Sequence, residues 1–322
     1  VIFNMDGDKD TLELPRDQKY SVCGVAQACV EAPQIFKFMT PNCKPIATKS
    51  RRYSEADLHF IKAEVAKLEK EGIIEPSSSP WRAQVLVVND GRHKKRMVID
   101  FSQTVNRYTL LDAYPLPRID DQVNNIARFK VFSTLDLKSA YYQVALSPDD
   151  RPYTAFESAG NLYQYRRLPF GLTNGVSAFQ RIIDNVIKDN KLTGTFAYLD
   201  NITVCGMDKD DHDRNLDAFL NAAQRFSLTF NHSKSIIRST EIDLLGFRVS
   251  HGVIKPDPER LKPSIDSLPP RNNPELKRVC GMFAYYAKWL PNFSDKIRPL
   301  YSVEKFPLSE NASIAFNDLK RE

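Results

Sequence analysis

Apolar positions along the chain fall at helical spacing in some stretches and in short runs in others. From Ser54, the residues Leu58, Ile61, Val65 and Leu68 make one stripe, which predicts a helix. Ser54 with Asp57 three residues later resembles a capping box, and Gly72 stands where a C-cap belongs. Within residues 84–100, two β-rich runs flank Asn89-Asp90-Gly91 and predict a hairpin. Residues 131–136 predict an apolar strand that ends in a carboxylate. Leu168-Pro169-Phe170-Gly171-Leu172 leads into a helix with Phe179, Ile182, Ile183 and Val186 on one side. Residues 195–204 read as two short strands joined by a tight Asp200-Asn201 turn, and a helix is expected over roughly 210–226, with Leu216, Phe219, Leu220 and Ala223 inward. Residues 228–230 and 244–249 are strand-like. Five prolines between Pro256 and Pro270 mark a linker-like stretch, and Asn273-Pro274 then starts a helix with Leu276, Cys280, Phe283 and Ala287 on one side. Residues 1–43 alternate poorly, so irregular structure with a short strand or two is expected there.

Length changes the picture first. At 322 residues the chain exceeds the size at which single cores stop growing, about 250–300 residues, so two or three lobes are expected. With 42% hydrophobic and 26% charged residues it is globular rather than disordered. No apolar run approaches the ~18–20 residues of a membrane span, and no signal peptide is evident. The chain begins Val1-Ile2-Phe3 and ends on a helical pattern, which reads as a fragment of a longer polypeptide. The five cysteines lack CxxC spacing, and the five His are scattered. An intracellular compartment is expected, with cytoplasmic particle and nucleus left open, and a zinc site is not. The net charge of +5 is mild, but it is unevenly spread. Residues 88–107 hold five basic and two acidic groups, and residues 255–300 hold nine and five. Basic charge thus gathers in two places where a polyanion could lie.

Candidate chemistry rests on two carboxylates. Asp136 ends one apolar strand and Asp200 sits at a hairpin tip. A carboxylate there is costly unless paired, and two brought together repel, so a divalent cation is their natural partner. A pair of Mg²⁺ ions held by shared carboxylates is the arrangement of in-line phosphoryl transfer. Taken singly, either aspartate would serve as well to cap a turn.

The neighbours favour the first reading. Phe132 to Gln143 around Asp136, Leu168 to Asn174, Tyr198-Leu199-Asp200-Asn201, Leu228 to Lys234 and Leu245-Gly246-Phe247 occur in one order at compact spacing. Supporting stretches are residues 49–53, 72–81, Tyr114-Pro115-Leu116-Pro117, 252–258 and 285–293. This ordered set resembles the polymerase core of a reverse transcriptase, most closely that of gypsy-like LTR retrotransposons, over roughly 44–305.

The resemblance implies an α+β right-hand polymerase fold, with an antiparallel palm sheet backed by helices. It implies an N-terminal extension over 1–43, fingers over 44–110 and 144–175, a palm over 111–143 and 176–253, and a thumb over 254–305. Residues 306–322 would begin a connection towards an RNase H domain, with RNase H and integrase absent from this stretch. The implied activity is RNA-directed and DNA-directed DNA synthesis on a template–primer duplex from dNTPs, with two Mg²⁺ ions, for which Mn²⁺ could substitute. Asp136 and Asp200 would bind metal, aided by the backbone carbonyl of Leu137. Tyr141 matches the aromatic position under the incoming sugar, and Phe170 and Gly171 the floor of the nucleotide pocket. Lys95 and Arg96 look like triphosphate ligands. Gln180, Leu245, Gly246, Phe247, Lys277 and Lys288 would face template or primer, and Lys234 is a possible proton donor to pyrophosphate. Two departures stand out. Most relatives carry a second aspartate where this chain has Asn201, and residues 174–178 lack a small-Pro pairing. A catalytically inactive nucleic-acid-binding remnant is the alternative these departures leave open.

Overall fold

The computed structural model describes residues 26–89 and 95–321. In chain order it runs α1 (Glu55–Lys70), β1 (Ile74–Pro76), β2 (Gln84–Asn89), β3 (Lys95–Asp100), α2 (Ile119–Ile126), β4 (Val131–Asp136) and α3 (Ala140–Gln143). Then come β5 (Phe156–Ser158), β6 (Asn161–Tyr165), α4 (Gly175–Asp189), β7 (Thr195–Tyr198), β8 (Asn201–Gly206) and α5 (Lys209–Arg225). The remainder is β9 (Ile236–Ser239), β10 (Glu241–Leu244), β11 (Phe247–Ser250), β12 (Val253–Pro256), α6 (Pro258–Ile265), α7 (Asn273–Tyr285), α8 (Phe293–Tyr301) and α9 (Glu310–Arg321). None of the described helices is long and apolar enough to cross a membrane. The chain divides into two units: residues up to Arg118 with Phe129–Thr240, and Ile119–Arg128 with Glu241 onward.

The first unit is organised by an antiparallel sheet in the order β7-β8-β4-β9. Leu135 pairs with Ile202 and Ser133 with Val204, so Leu135, Ile202 and Val204 are buried on one face with Leu216 and Phe219, while Phe132 is buried on the other. Helix α5 lies along β8 and β4, and α4 along β7. Asp208 caps α5 by accepting the Asp211 N–H at 2.8 Å, which satisfies one of the donors left over at a helix start. Leu216 and Phe219 on its inner face are fully buried, each contributing roughly 1.5–3 kcal/mol. Gly206 permits this packing, since a Cβ there would collide with the His212 backbone. A second sheet, β1-β6-β5, and the β2–β3 hairpin complete the unit, with α1 over β1 and β5. The expected N-cap is present: the Asp57 N–H donates to Ser54 Oγ at 3.1 Å. The β2–β3 register pairs Asn89 with Lys95. The predicted turn at Asp90-Gly91 and the basic groups Arg92 and Lys94 lie outside the described residues. Residues 228–230 do not form the expected strand; only Phe230 bridges, to Leu137.

A buried polar network ties β4, α5 and β9 together. His212 is fully buried, its Nε2 2.8 Å from Ser133 Oγ and its Nδ1 3.0 Å from Asp213 Oδ1. Asp213 takes a two-pronged bond from Arg238 at 2.7 and 2.8 Å. Burial holds the His212 imidazole below its ordinary 6.5, with Asp213 partly opposing. The folded protein then binds fewer protons than the unfolded chain near that pH, so this contribution to stability is complete above about 6.5 and lost as pH falls. Urea unfolding midpoints should therefore drop between pH 7.5 and 5.5, and His212→Phe should flatten that slope.

The second unit holds an antiparallel meander, β10-β11-β12, with α2 against β11. Leu245 and Gly246 form the two-residue turn from β10 to β11, with φ of 51° and 89°. Positive φ at both positions matches the twist of a tight hairpin, so the run 244–249 is two strands and not one. Helices α7–α9 close a separate core around Leu276, Val279, Cys280, Phe283, Leu300 and Phe316. Helix α7 ends at Tyr285, so Ala287 falls in a following 3₁₀ turn, and Val279 is buried beside Leu276, Cys280 and Phe283.

Candidate active site

Strand register brings the two candidate carboxylates to the same end of one sheet. Asp136 is the last residue of β4 and lies directly opposite Asn201, the first residue of β8. Asp200 precedes Asn201 in the β7–β8 turn, and its carbonyl accepts the Leu137 N–H at 3.1 Å. The segments that carry Asp136, Leu137 and Asp200 are thus bonded to one another. The turn differs from expectation in one respect. Tyr198 pairs with Asn201, so the two turn residues are Leu199 and Asp200, and Leu199 carries the positive φ of 55°. Asn201 is already in strand geometry and does not supply the turn conformation.

Lys234 reaches this end too, its Nζ 3.7 Å from Asp136 Oδ2. The segment that carries Lys234 is docked by backbone: the Asn231 N–H donates to the Asp136 carbonyl at 2.7 Å. Lys234 is 65% exposed, so the pair itself contributes little to stability and leaves the ammonium free to change partners.

An aromatic stack adjoins the carboxylates. Tyr141 on α3 is buried, stacked on Phe179 at 4.9 Å and tilted against Phe170 at 4.7 Å. Burial, and next the Asp200 charge, push the Tyr141 phenol up to about 12, so it stays neutral at physiological pH. Phe170 also meets Tyr142 edge-on at 5.6 Å, yet it is 53% exposed. A large exposed ring on a rigid base is a surface for a planar ligand. Gly171 follows with φ of 89°, a conformation only glycine adopts without strain; a Cβ there would make only an ordinary contact with the Ile99 carbonyl at 3.5 Å, so the backbone and not the space requires glycine.

Two side-chain amides hold these loops: Asn106, which the sequence did not mark, and Asn174, known from the sequence only as the end of the Leu168–Asn174 motif. Asn106 donates to the Gly171 carbonyl at 2.8 Å and accepts the Thr173 N–H at 3.0 Å. Asn174 accepts the Asp112 N–H at 2.9 Å and donates to the Leu110 carbonyl at 2.9 Å. Such residues carry no charge and no periodicity, so only their nearness to the Phe170-Gly171 motif could have signalled them.

Other expected ligands are placed as follows. Lys95 starts β3 and is paired with Asp57 of α1 at 2.7 Å, while Arg96 follows it on an exposed position. Gln180 was expected to face template. It has no exposed surface, and its amide is spent on Asp184, Ala197 and Leu199, so it offers nothing to a duplex. In the second unit, Phe247 is buried rather than presented, whereas Leu245 and Gly246 are partly open in their turn. Lys288 lies 4.8 Å from the Phe247 ring and 4.3 Å from the Trp289 ring, and bonds Asp120 at 3.1 Å. Lys277 is exposed on α7.

Among the described residues, no three His, Cys, Asp or Glu side chains gather into a metal-binding group. The donors at the sheet end are two carboxylates beside backbone carbonyls, all hard oxygens. That set fits Mg²⁺, which keeps several waters and is held by one or two carboxylates plus substrate phosphates. It does not fit a closed zinc site.

The first unit is thus an antiparallel sheet backed by helices, with carboxylates at the end of a hairpin and the adjacent strand. Residues 69–249 match the family model described as reverse transcriptase (RNA-dependent DNA polymerase). The chain is 32% identical over 98% of its length to a Pol polyprotein from transposon opus of Drosophila melanogaster. It is 34% identical over 80% to that from transposon gypsy of the same fly. It spans about a third of the opus protein and a quarter of the gypsy protein. The foamy viral protease–reverse transcriptase solved with double-stranded DNA superposes at a TM-score of 0.80, with 22% identity, over 93% of this chain and 53% of that one. The same viral protein with RNA/DNA hybrid gives 0.77 at 21% identity, covering 93% and 40%. The chain belongs to the reverse transcriptase family, with the retrotransposon Pol polyproteins among its relatives.

Proposed function

We propose that this chain is an RNA-directed DNA polymerase that also copies DNA templates, extending a primer from dNTPs by two-metal nucleotidyl transfer. The observation that carries this reading is the joining of Asp136 and Asp200 at one sheet end, beside the Tyr141–Phe170 stack. Asp136, Asp200 and the Leu137 carbonyl would hold the metals. Two bound Mg²⁺ ions would activate the primer 3′-hydroxyl and neutralise charge on the triphosphate. Mn²⁺, with the same preference for oxygen ligands, would substitute.

The chain's own groups do the rest. Phe170 and the glycine-shaped turn at Gly171 seat the nucleotide, and the Tyr141 ring below them excludes a ribose 2′-hydroxyl. Lys95 and Arg96 grasp the triphosphate, for which Lys95 must give up Asp57. Lys234, already beside Asp136, hands a proton to departing pyrophosphate. Leu245 and Gly246 would form the tip of the primer-holding hairpin, with Phe247 buried at its base, and Lys277 and Lys288 would follow the duplex backbone, with contacts weakened by salt. Residues 44–110 and 144–175 correspond to fingers, 111–143 and 176–253 to palm, and 254–305 to thumb.

Asn201 weakens the negative field at the metals but keeps an acceptor oxygen, and it occupies ordinary strand geometry. Asn201→Asp should therefore leave extension unchanged or raise it a few-fold, measured as the Mg²⁺ dependence of primer extension; a large loss would contradict the placement of Asn201. The parent reading is tested with a DNA primer on RNA and on DNA templates. Extension on both is expected. Duplex binding without extension under Mg²⁺ or Mn²⁺ would mark an inactive remnant instead.

A further inference from the structure

Two buried glutamines each end on backbone of a segment that carries a candidate catalytic aspartate. Gln180 on α4 is fully buried. Its Nε2 donates to Asp184 Oδ1 at 2.8 Å and to the Ala197 carbonyl at 3.1 Å, and its Oε1 accepts the Leu199 N–H at 2.7 Å. Gln143 on α3 is 1% exposed. Its Nε2 donates to the carbonyls of Lys138 and Thr229 at 2.8 and 3.0 Å, and its Oε1 accepts the Thr229 N–H at 2.9 Å.

We infer that Gln180 and Gln143 are positioning residues that fix, respectively, the Asp200 turn and the Asp136 exit. This rests on the polymerase reading given above. Each amide is fully used: both amide hydrogens meet acceptors and the oxygen meets a donor. The orientation of Gln180 is not a free choice. Asp184 and the Ala197 carbonyl only accept, and the Leu199 N–H only donates, so a flipped amide would face like against like on all three sides. Tyr114 reinforces this order. Its hydroxyl donates to Asp184 Oδ2 at 2.5 Å, and burial with the Asp184 bond pushes the phenol up to about 12, keeping the donor in place. Leu199 is the residue held at positive φ immediately before Asp200, a conformation a branched-γ residue does not prefer. The Gln180 bond to its N–H therefore anchors the strained step that aims the carboxylate. Gln143 acts in parallel. It joins Lys138, two residues after Asp136, to the segment at Thr229 that continues to Asn231, whose N–H bonds the Asp136 carbonyl.

The test uses the full chain with Gln180→Met, Gln143→Met and the milder Tyr114→Phe, each first shown to melt cooperatively. Amide hydrogen exchange comes first and needs no activity. Leu199 should exchange at least about tenfold faster in Gln180→Met with Thr229 unchanged, and the converse should hold in Gln143→Met; Tyr114→Phe should give a smaller rise at Leu199. Mn²⁺ binding, followed by electron paramagnetic resonance without nucleotide, should weaken in both glutamine variants. The kcat for primer extension should fall on the order of a hundredfold, as for a catalytic group displaced by about 1 Å, with template–primer Kd within about twofold. Unchanged Leu199 exchange in Gln180→Met, or a loss expressed in template–primer Kd at constant kcat, would overturn the assignment. If the parent chain extends no primer yet the exchange and Mn²⁺ results hold, the polymerase reading fails and the clamp stands.

Discussion

Replacing Asp136 or Asp200 by asparagine should lower primer extension by roughly a thousandfold, which is the loss of about 4 kcal/mol of transition-state stabilisation. The substitution keeps the size but removes the charge that, on the proposed function, would hold a divalent cation. Structural damage is expected to be small. Asp136 loses only a 3.7 Å pair with a mostly exposed lysine, and the Asp200 contact that joins the two segments is through its backbone carbonyl. Single-nucleotide incorporation, measured with melting temperature and template–primer Kd, separates the two effects. Loss of turnover with stability and binding intact is the expected result. Full turnover in either variant would remove that aspartate from the metal site.

Tyr141→Ala should raise the ratio of ribonucleotide to deoxynucleotide incorporation by roughly a hundredfold, because discrimination by an excluded hydroxyl depends on the ring that occupies its place. The ring is held by Phe179 and Phe170, so it cannot swing away from a 2′-hydroxyl without disturbing buried neighbours. Its removal leaves a cavity and should cost about 3 kcal/mol of stability. Tyr141→Phe keeps the ring, and should keep the discrimination. Competition assays with matched ribo- and deoxynucleotides read this out, and unchanged exclusion in Tyr141→Ala would refute the role.

Much of the fold was legible from periodicity. Helices α1, α4 and α5 stand where three or four apolar residues recur on one face, and β4 and β8 where apolar runs meet a carboxylate. Legibility failed where tertiary partners decide the outcome. Residues 228–230 look like a strand, but one bridge to Leu137 is all the ladder available to them. Ala287 continued the helical spacing, yet α7 stops at Tyr285.

The site was legible as chemistry but not as support. Asp136 and Asp200 stood out as carboxylates on apolar strands, and Tyr141 and Phe170 came in only through the family resemblance; the structure joins the two aspartate segments and packs the two rings together. Gln180 was misread as a template ligand because a polar side chain on a helix next to a motif looks exposed. The structure instead buries it against three backbone and carboxylate groups, none adjacent to it in sequence. The turn was likewise assigned to Asn201 on residue type, whereas the β7–β8 register places Leu199 at positive φ.

Whether the chain is a metal-dependent RNA-directed DNA polymerase is decided by a single-turnover experiment. A DNA primer annealed to RNA, one complementary dNTP and titrated Mg²⁺ are mixed with the intact chain, with Asp200→Asn in parallel. Addition of one nucleotide that depends on Mg²⁺ and is lost in Asp200→Asn is the predicted result. No addition by the parent chain at any Mg²⁺ or Mn²⁺ concentration, or equal addition by Asp200→Asn, would contradict it.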